Sequence, residues 1–361
     1  MILDLFAADK FASADPVVTP LPPSMADRLR RLAESHWPGT EAATVEAVGD
    51  VVAEETAANS HNFRLCGASG AFVLKRVTRP DLLPVIARQM KLMAHCADRG
   101  AAIPRPRVTA GGELVVEEDG QWWCLLDFAD GRYFQGRPDE IVPAGTAIGR
   151  LHSLLANVPL GLIPERVRPP YFTDEEHDGF GALVSCRPRW PEVFGVTAAA
   201  VLDGHWHVVA DAWSRLSREP RLRSKPAVPV HFDLHPHNLL VRDGQCLILD
   251  FDSVVRAPAA MAVGFAMVKL MKRVEAARRR EGATSPMPAE AALRFREAVA
   301  AQWSAVAEPA DLELFARAEV LRRFLSVCRF ILAGRAIVWN GPLVHLAALV
   351  EADLIFASPV G

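Results

Sequence analysis

Several features that mark particular protein classes are missing from this 361-residue sequence. The net charge is only −3, so no basic field favours a nucleic acid or an anionic membrane as a partner. The six cysteines form no C-x-x-C pair, which argues against structural zinc and favours reduced thiols in a cytoplasmic protein. The N-terminus has no basic segment followed by a long apolar run, so we expect no signal peptide. No uninterrupted apolar stretch is long enough to span a bilayer.

The chain does have the size and composition of a folded protein with two lobes. Apolar residues make up 50% of the sequence and charged residues 23%, which is typical of globular domains. A chain of 361 residues is too long for one ordinary core. Residues 1–24 contain four prolines and little periodicity, and we expect them to form an extended arm.

A change of hydrophobic period divides the rest of the chain. Strand-like segments dominate up to residue 130, after an amphipathic helix at 25–37 and around one long helix at 81–100. Helical periodicity dominates from residue 133, with a hairpin at 239–250 as the one predicted interruption. We therefore predict an α+β, bilobal, protein-kinase-like fold. Residues 25–130 would form a small antiparallel β-sheet lobe that binds nucleotide, and residues 131–361 a larger, mainly helical lobe that is catalytic and binds substrate.

The strongest chemical signal lies at residues 231–252. Residues 231–238 read H-F-D-L-H-P-H-N and residues 250–252 read D-F-D, with an Asp-Gly hairpin turn between two apolar runs. The hairpin would return Asn238 and Asp250 to the same end of two paired strands. Asp233 would accept a hydroxyl proton, while Asn238 and Asp250 would hold Mg²⁺, and this is the side-chain set of phosphoryl transfer. Capping of turns is the ordinary alternative for such residues, but four polar positions at this spacing favour a kinase catalytic loop.

A cation for the nucleotide phosphates is predicted at Lys75. It lies in the apolar strand 71–77, just before the long helix, where a solvent-facing lysine is the alternative. Such a lysine is normally paired with a glutamate on that helix. Residues 81–100 contain no glutamate, and we place Gln89 in that position. Gln89 would hydrogen-bond the lysine without neutralising it.

Two further segments are candidates for nucleotide contacts. The segment 126–131 would join the lobes, with the backbone C=O of Asp127 and N–H of Ala129 pairing with the adenine edge. No G-x-G-x-x-G loop is present, and the segment 48–62 contains a single glycine. Phosphate contacts there would come from backbone N–H groups, and an ordinary turn fits equally well. The side chains that would assist are Ser60, Asn59 or His61.

These residues resemble the aminoglycoside phosphotransferase / choline kinase superfamily of small-molecule kinases. The run at 231–238 is very close to that family's H-G-D-L-H-P-G-N, and D-F-D at 250–252 matches its metal-binding element. Supporting matches lie at 59–65 with 72–75, 103–106 and 149–152. The resemblance extends from about residue 45 to 265 and implies ATP and Mg²⁺ as cofactors. It implies the roles already assigned to Asp233, Asn238, Asp250 and Lys75.

The chain departs from that family at two positions. Gln89 replaces the usual glutamate, and the family's second aspartate falls on Met261 or Ala262. That aspartate usually braces the catalytic loop, so this loop is either braced differently or less active. Pro258 follows the D-F-D run closely and an apolar helix begins at once, which leaves no room for a peptide-docking activation loop.

The sequence thus predicts an ATP-dependent phosphotransferase that acts on a hydroxyl of a small molecule. Sugars, amino alcohols and hydroxy amino acids are the expected acceptors, with aminoglycosides as a further class. The alternative is a catalytically weak or dead nucleotide-binding pseudokinase with a scaffolding role. We expect neither nucleic acid nor membrane as a partner, and the oligomeric state stays open. We expect His235 either to steady the catalytic loop or to touch substrate, and Asp252 to support the metal ligands without contacting the metal.

Three groups of residues are candidates for acceptor binding, and each has an ordinary structural alternative. An acidic group would attract a polycation or lie on a solvated loop. An aromatic pair would stack on a sugar or pack in the core, and a group of arginines would bind an anion or lie on a solvated helix face. In this order, the groups are Glu175, Glu176 and Asp178; Trp206 and Trp213; and Arg322, Arg323, Arg329 and Arg335.

Overall fold

The structure is a computed structural model, and it confirms the predicted fold class of a β-sheet region followed by a mostly helical region. It describes residues 18–48, 60–77, 81, 83–163, 165, 167–168, 171–281, 287–305, 308–335 and 342–356. None of the helices in these ranges is both long and apolar enough to cross a membrane.

The N-terminal region is an antiparallel sheet with two helices. The helices are α1 (Pro23–His36) and α2 (Leu83–Asp98). The strands are β1 (Val18–Pro20), β2 (Ala42–Val48), β3 (Ser60–Gly67), β4 (Gly70–Val77), β5 (Pro106–Arg107), β6 (Val116–Glu118) and β7 (Gln121–Asp127). Their order in the sheet is β1-β2-β3-β4-β7-β5, with β6 also paired to β7. The end of the predicted arm belongs to this sheet, because β1 pairs with β2.

Strand β4 separates two apolar clusters because successive side chains point to opposite faces of a sheet. Phe72 and Leu74 are buried in the cluster beneath α1. Val77 belongs to the larger cluster that contains the buried face of α2 and continues into the helical region. Lys75 shares the alternation of Val77 and therefore lies on the α2 side of the sheet.

The C-terminal region is mainly helical, with three short strand pairings around the predicted hairpin. Its helices are α3 (Ile141–Leu155), α4 (Asp174–Ser185), α5 (Trp190–Phe194), α6 (Val196–Gly204), α7 (Trp206–Leu216), α8 (Arg221–Ser224), α9 (Ala259–Glu281), α10 (Pro288–Gln302), α11 (Pro309–Leu332) and α12 (Pro342–Phe356). Its strands are β8 (Arg132–Tyr133), β9 (Val228–His231), β10 (Leu239–Arg242), β11 (Gln245–Ile248) and β12 (Val254–Ala257).

Two sequence predictions for this region are wrong. The hairpin is not the one interruption of the helices, because β8 pairs with β10 and β12 pairs with β9. These strands span only two to four residues, too few to show a period. The periodicity of residues 197–216 predicts a single helix, but the structure has two helices that meet at His205. The apolar run predicts a helix over 259–270, and α9 continues beyond it to Glu281.

A glycine allows α9 and α11 to approach closely. A Cβ atom added at Gly264 would lie less than 3.0 Å from the backbone oxygen of Leu312, a distance that real Cβ atoms do not tolerate. Helix α9 carries Lys269 and α11 carries Arg323, so this packing fixes where two cations lie relative to the loop after β9.

We predict that Gly264→Ala lowers the free energy of unfolding by about 1–3 kcal/mol, because the methyl group forces the helices apart. Gly181→Ala is the matched control, since Gly181 is also helical but exposed, with nothing within 4 Å of an added Cβ. It should be neutral or stabilising by about 0.5–1 kcal/mol. Denaturant unfolding measures both variants, and equal losses would contradict the packing argument.

Candidate active site

The motif at 231–252 folds into a compact unit made by two antiparallel pairings. Strands β10 and β11 form the predicted hairpin, with Leu239 opposite Ile248. The backbone N–H of Leu249 donates to the carbonyl of Asn238 at 2.8 Å, which brings Asn238 close to Asp250 in space. Strand β12 then returns alongside β9, so the D-F-D run is tied back to the loop that carries Asp233.

Asn238 and Asp250 offer oxygen ligands at the open end of this hairpin. The side-chain Nδ2 of Asn238 donates to the backbone oxygen of Asp233 at 2.8 Å, which orients the amide and leaves its Oδ1 out of that bond. Asp250 is exposed, and its left-handed backbone (φ 54) turns the chain sharply at the end of β11. An amide oxygen and a carboxylate suit Mg²⁺, which typically takes one or two carboxylates together with water and phosphate oxygens. Among the described residues, no group of three or more His, Cys, Asp or Glu could hold a metal ion.

Asp233 lies in a positive environment. Its Oδ1 accepts a hydrogen bond from Lys269 Nζ at 2.6 Å and lies 3.9 Å from Arg323 Nη2, while its Oδ2 lies 3.7 Å from His235 Nε2. Burial alone would raise the pKa of Asp233, but these neighbours together hold it well below its ordinary value. Asp233 is therefore a carboxylate at neutral pH and can accept a hydrogen bond from a hydroxyl.

His235 both supports the catalytic loop and faces Asp233. Its Nδ1 accepts from the backbone N–H of His237 at 3.3 Å, which caps the short 3₁₀ turn before β10. Burial, followed by the charge of Lys269, lowers the pKa of His235 to about 3. The ring is therefore neutral at ordinary pH.

Lys269 is a site residue that the sequence did not reveal to us. It is on α9, and its side chain is only 22% exposed. Burial, followed by the charge of Arg323, lowers the pKa of Lys269 to about 8, although Asp233 opposes this shift. The signal was present, because Lys269 is the one charged residue in the apolar run 259–271.

Two of the candidate arginines, Arg322 and Arg323, belong to an ion network rather than to a solvated helix face. Glu319 is fully buried, and its carboxylate accepts hydrogen bonds from Arg168 at 2.9 Å, Arg322 at 2.7 Å and Arg323 at 2.8 Å. The guanidinium of Arg323 also lies 4.2 Å from the centroid of the Phe265 ring. The network therefore holds Arg323 in place close to Asp233.

Two histidines brace the loop that carries Asp233, and neither candidate position for the family's second aspartate contributes to this brace. Met261 and Ala262 are buried in the apolar core. His152 Nε2 accepts from the backbone N–H of His231 at 3.1 Å, and its Nδ1 donates to the Ile148 carbonyl at 3.0 Å. Burial lowers the pKa of His152 to about 3, so the ring is neutral and can accept that bond.

His231 continues the brace to the metal loop. Its Nε2 donates to the backbone oxygen of Asp250 at 2.6 Å. The hydrogen bonds therefore connect α3, through His152 and His231, to Asp250, the second candidate metal ligand. The sequence had singled out His152 only as part of the match at 149–152.

The residues predicted to contact the nucleotide phosphates lie on strand β4, on helix α2 and at the start of strand β3. Lys75 pairs in register with Cys124 of β7, and Gln89 is buried on α2, which lies against the same face of the sheet. A contact between Lys75 and Gln89 stays a prediction. Ser60 begins β3 opposite Val77, but its side chain lies outside the described residues, and so do residues 49–59 of the predicted phosphate segment, which include Asn59.

The predicted adenine segment follows directly from β7. The carboxylate of Asp127 accepts from Arg107 Nε at 2.5 Å, and its backbone N–H donates to Arg105 O at 2.8 Å. The N–H of Ala129 donates to no other backbone group among the described residues, as an adenine-binding amide requires. Its pairing with adenine stays a prediction.

In the acidic and aromatic candidate groups, every residue but the exposed Asp178 has a structural partner. Glu176 accepts from the Thr173 backbone N–H at 2.7 Å and so caps α4, while Glu175 is paired with Arg329. The aromatic pair packs against Phe180, whose ring centroid lies 4.3 Å from that of Trp213 and 5.7 Å from that of Trp206. Core packing therefore accounts for both tryptophans.

Structural neighbours share this fold at low sequence identity. Spectinomycin phosphotransferase APH(9)-Ia, solved with ADP and spectinomycin, has a TM-score of 0.62 at 13% identity and covers 93% of this chain and 99% of its own. Amicoumacin kinase hAmiN, solved with AMP-PNP and Ca²⁺, has a TM-score of 0.55 at 13% identity and covers 91% and 92%. An aminoglycoside phosphotransferase from Alicyclobacillus acidocaldarius also has a TM-score of 0.55 at 13% identity, with 94% and 93% covered. These neighbours support the fold alone.

Curated relatives match over a shorter part of the chain. Homoserine kinase of Rhodopseudomonas palustris (strain HaA2) is 34% identical over 97 residues, which is 25% of this chain and 28% of the relative. Homoserine kinase of Bartonella tribocorum is 33% identical over 104 residues, or 27% and 31% of the two chains. The matches therefore span about a third of those relatives' length or less.

The family model for the phosphotransferase enzyme family (APH) matches residues 53–308, well over half of the chain. The matched range contains the whole motif at 231–252 and Lys75, Gln89, Asp127 and Lys269. The resemblance seen in the sequence is thus confirmed: the chain belongs to the phosphotransferase enzyme family and is an enzyme of the kinase type.

Proposed function

We propose that this enzyme transfers the γ-phosphoryl group of ATP to a hydroxyl of a small molecule. The observation that carries the proposal is the arrangement around Asp233. This carboxylate is held ionised beside Lys269, within a loop that also orients Asn238 and lies next to Asp250. A base and two oxygen ligands in one rigid unit are what phosphoryl transfer needs, because its catalysis is mainly positioning and charge stabilisation.

The base would act on the acceptor directly. Asp233 would accept a hydrogen bond from the acceptor hydroxyl and orient its oxygen in line with the γ-phosphorus. A bond forms between that oxygen and phosphorus, the bond from phosphorus to the β–γ bridging oxygen breaks, and the hydroxyl proton passes to Asp233. The products are ADP and a phosphomonoester. Lys269, at 2.6 Å from the carboxylate, would also face the charge that develops on the phosphoryl oxygens.

We place the nucleotide between the sheet lobe (25–130) and the helical lobe (131–361). Lys75 would contact its phosphates, with Gln89 as the partner of the lysine, and Ser60 would assist. The backbone groups of Asp127 and Ala129 would pair with adenine. Asn238 and Asp250 would hold Mg²⁺, which supplies charge neutralisation on the phosphates when bound.

The acceptor belongs to the small hydroxylated molecules, in which we include sugars, amino alcohols, hydroxy amino acids and aminoglycosides. The similarity of part of the chain to homoserine kinases supports a hydroxy amino acid. A pseudokinase is less well supported. The brace through His152 and His231 compensates for the missing aspartate and leaves the site intact.

We predict that Asp233→Asn lowers turnover by roughly 10²- to 10⁴-fold, because the amide cannot accept the proton, while ATP binding is kept. Release of ADP in the presence of Mg²⁺ and a panel of hydroxylated metabolites measures this. Asp211→Asn, at an exposed residue paired with Arg215, should retain full activity. Activity of Asp233→Asn within about tenfold of the wild type would sink the assignment, and ATP binding without any turnover of the panel would favour the pseudokinase.

The metal assignment predicts different outcomes for two aspartates in one hairpin. Asp250 and Asp243 both adopt left-handed backbone, with φ 54 and φ 49, and Asn tolerates this conformation as well as Asp does. We expect Asp250→Asn to abolish the Mg²⁺-dependent tightening of ATP binding and Asp243→Asn to leave it intact. Calorimetric titration of ATP with and without Mg²⁺ tests this, and equal effects of the two variants would show that the D-F-D assignment is wrong.

The weakest nucleotide contact is the one predicted for Gln89. If Gln89 faces Lys75, Gln89→Glu creates a Lys–carboxylate pair in a buried position, and the KM for ATP should fall or stay unchanged. Arg88 is half-buried and bridges to Glu165 at 3.7 Å, and Lys91 is exposed, so Arg88→Glu and Lys91→Glu serve as controls on other faces of α2. If all three variants give the same ATP titration, Gln89 does not lie opposite Lys75.

A further inference from the structure

Positive charge exceeds negative charge on the helical side of Asp233. Four cations, namely Arg168, Arg322, Arg323 and Lys269, are arranged around two carboxylates, those of Glu319 and Asp233. His345 on α12 adds no charge, because burial and then the nearby Arg323, Lys272 and Lys269 lower its pKa to about 3. The ion pairs therefore leave a net positive surface next to the base.

The guanidinium of Arg323 uses only one of its nitrogens as a hydrogen-bond donor within the described residues. Its Nε is used by Glu319, but its Nη2 lies 3.9 Å from Asp233 Oδ1, which is too far for a hydrogen bond. Within the described residues its two terminal nitrogens donate no hydrogen bond. The side chain is 28% exposed, so these donors are accessible to a ligand.

The support beneath Arg323 is rigid and apolar. Its guanidinium lies on the rings of Phe265 and Phe232, at 4.2 Å and 5.9 Å from their centroids, and these two rings stack at 6.0 Å. The Glu319 bond fixes the guanidinium plane, so its outer edge is oriented before any ligand arrives. A planar fork in a partly desolvated position favours a bidentate carboxylate.

We propose that the acceptor is a small hydroxylated anion, and that Arg323 binds its negative group while Asp233 binds its hydroxyl. This inference rests on the proposed function and narrows its acceptor class. With hydrogen bonds of ~2.8 Å at each end and the 3.9 Å gap between the two side chains, hydroxyl and anion lie within about 9.5 Å of each other. A short hydroxy acid, with or without an amino group, fits that span.

The same surface is unfavourable to a polycation. An aminoglycoside brought to Asp233 would place its ammonium groups beside Lys269 and Arg323, whereas two of the three acidic residues that could attract it are occupied. Glu176 caps α4 and Glu175 is paired with Arg329. Like charges in a partly buried site are costly, so a cationic acceptor would have to bind against the local field.

The competing occupant of Arg323 is the γ-phosphate of the nucleotide. Loss of Arg323 would then weaken ATP binding rather than acceptor binding. The two cases separate in the two KM values, because an acceptor contact changes the KM for the acceptor and leaves that for ATP unchanged.

The first experiment compares acceptors that carry a carboxylate with acceptors that lack one. L-homoserine and L-serine are assayed beside their carboxamides, with ethanolamine and spectinomycin as cationic acceptors. We expect ADP release and calorimetric binding in the presence of ADP to favour at least one hydroxy acid over its amide by about 10-fold or more. Equal binding of acids and amides, or a preference for the cationic compounds, overturns the inference while the proposed function stands. Because binding is measured directly, this result does not depend on turnover.

The second experiment tests Arg323 with a matched control. Arg323→Gln should raise the KM for the preferred hydroxy acid by about 10- to 100-fold, with the KM for ATP within about twofold of the wild type. Arg323→Lys keeps the charge but not the fork and should give an intermediate value. Arg317→Gln removes a similar i,i+4 arginine from the same helix, where Arg317 pairs with Glu313 and Asp353, and should change neither KM. Thermal unfolding of each variant reports any structural loss.

The outcomes distinguish a failure of the inference about Arg323 from a failure of the proposed function. A rise in the KM for ATP alone assigns Arg323 to the nucleotide and overturns the inference. Unchanged kinetics in folded Arg323→Gln also overturn it. If no compound in the panel is phosphorylated and none binds, both the inference and the proposed function fail for these acceptors. If the acids bind but are not phosphorylated, the inference is supported and the proposed activity is contradicted.

Discussion

The ion pair between Lys269 and Asp233 is the contact on which the arrangement of the site depends. It joins helix α9 to the loop after β9 at 2.6 Å and keeps the candidate base ionised in a partly buried position. Burial would otherwise favour the neutral forms of both groups, so neither charge would be stable there without the other. The position of Lys269 is set in turn by the packing of α9 against α11 at Gly264.

Two further sets of contacts hold the groups around this pair in place. In the first, His152 bonds the backbone of His231, and His231 bonds the backbone of Asp250, so the loop that carries Asp233 is tied to the D-F-D run. In the second, buried Glu319 holds Arg323 against the rings of Phe265 and Phe232. The first set would serve the proposed phosphoryl transfer. The second bears on the proposed choice of acceptor.

The sequence indicated the parts of the candidate site that are local and did not reveal those built across the chain. Asn238 and Asp250 flank one hairpin with an Asp-Gly turn, Asp233 lies on the loop just before it, and turn chemistry is readable from sequence. Lys269 and the network around Glu319 join segments 36 and 151 residues apart, and no periodicity encodes such contacts. The short strands β8, β9 and β12 were missed for a related reason, since they form only against partners elsewhere.

The identity of the phosphorylated atom tests the central claim most directly. An acceptor that offers both a hydroxyl and a carboxylate can yield either a phosphomonoester or an acyl phosphate. ³¹P NMR of the product distinguishes them, because the ester phosphorus couples to the carbinol protons and the ester resists hydroxylamine. If Asp233 accepts the hydroxyl proton while Arg323 holds the anion, the product is the phosphomonoester. An acyl phosphate, or inorganic phosphate alone, would contradict the account.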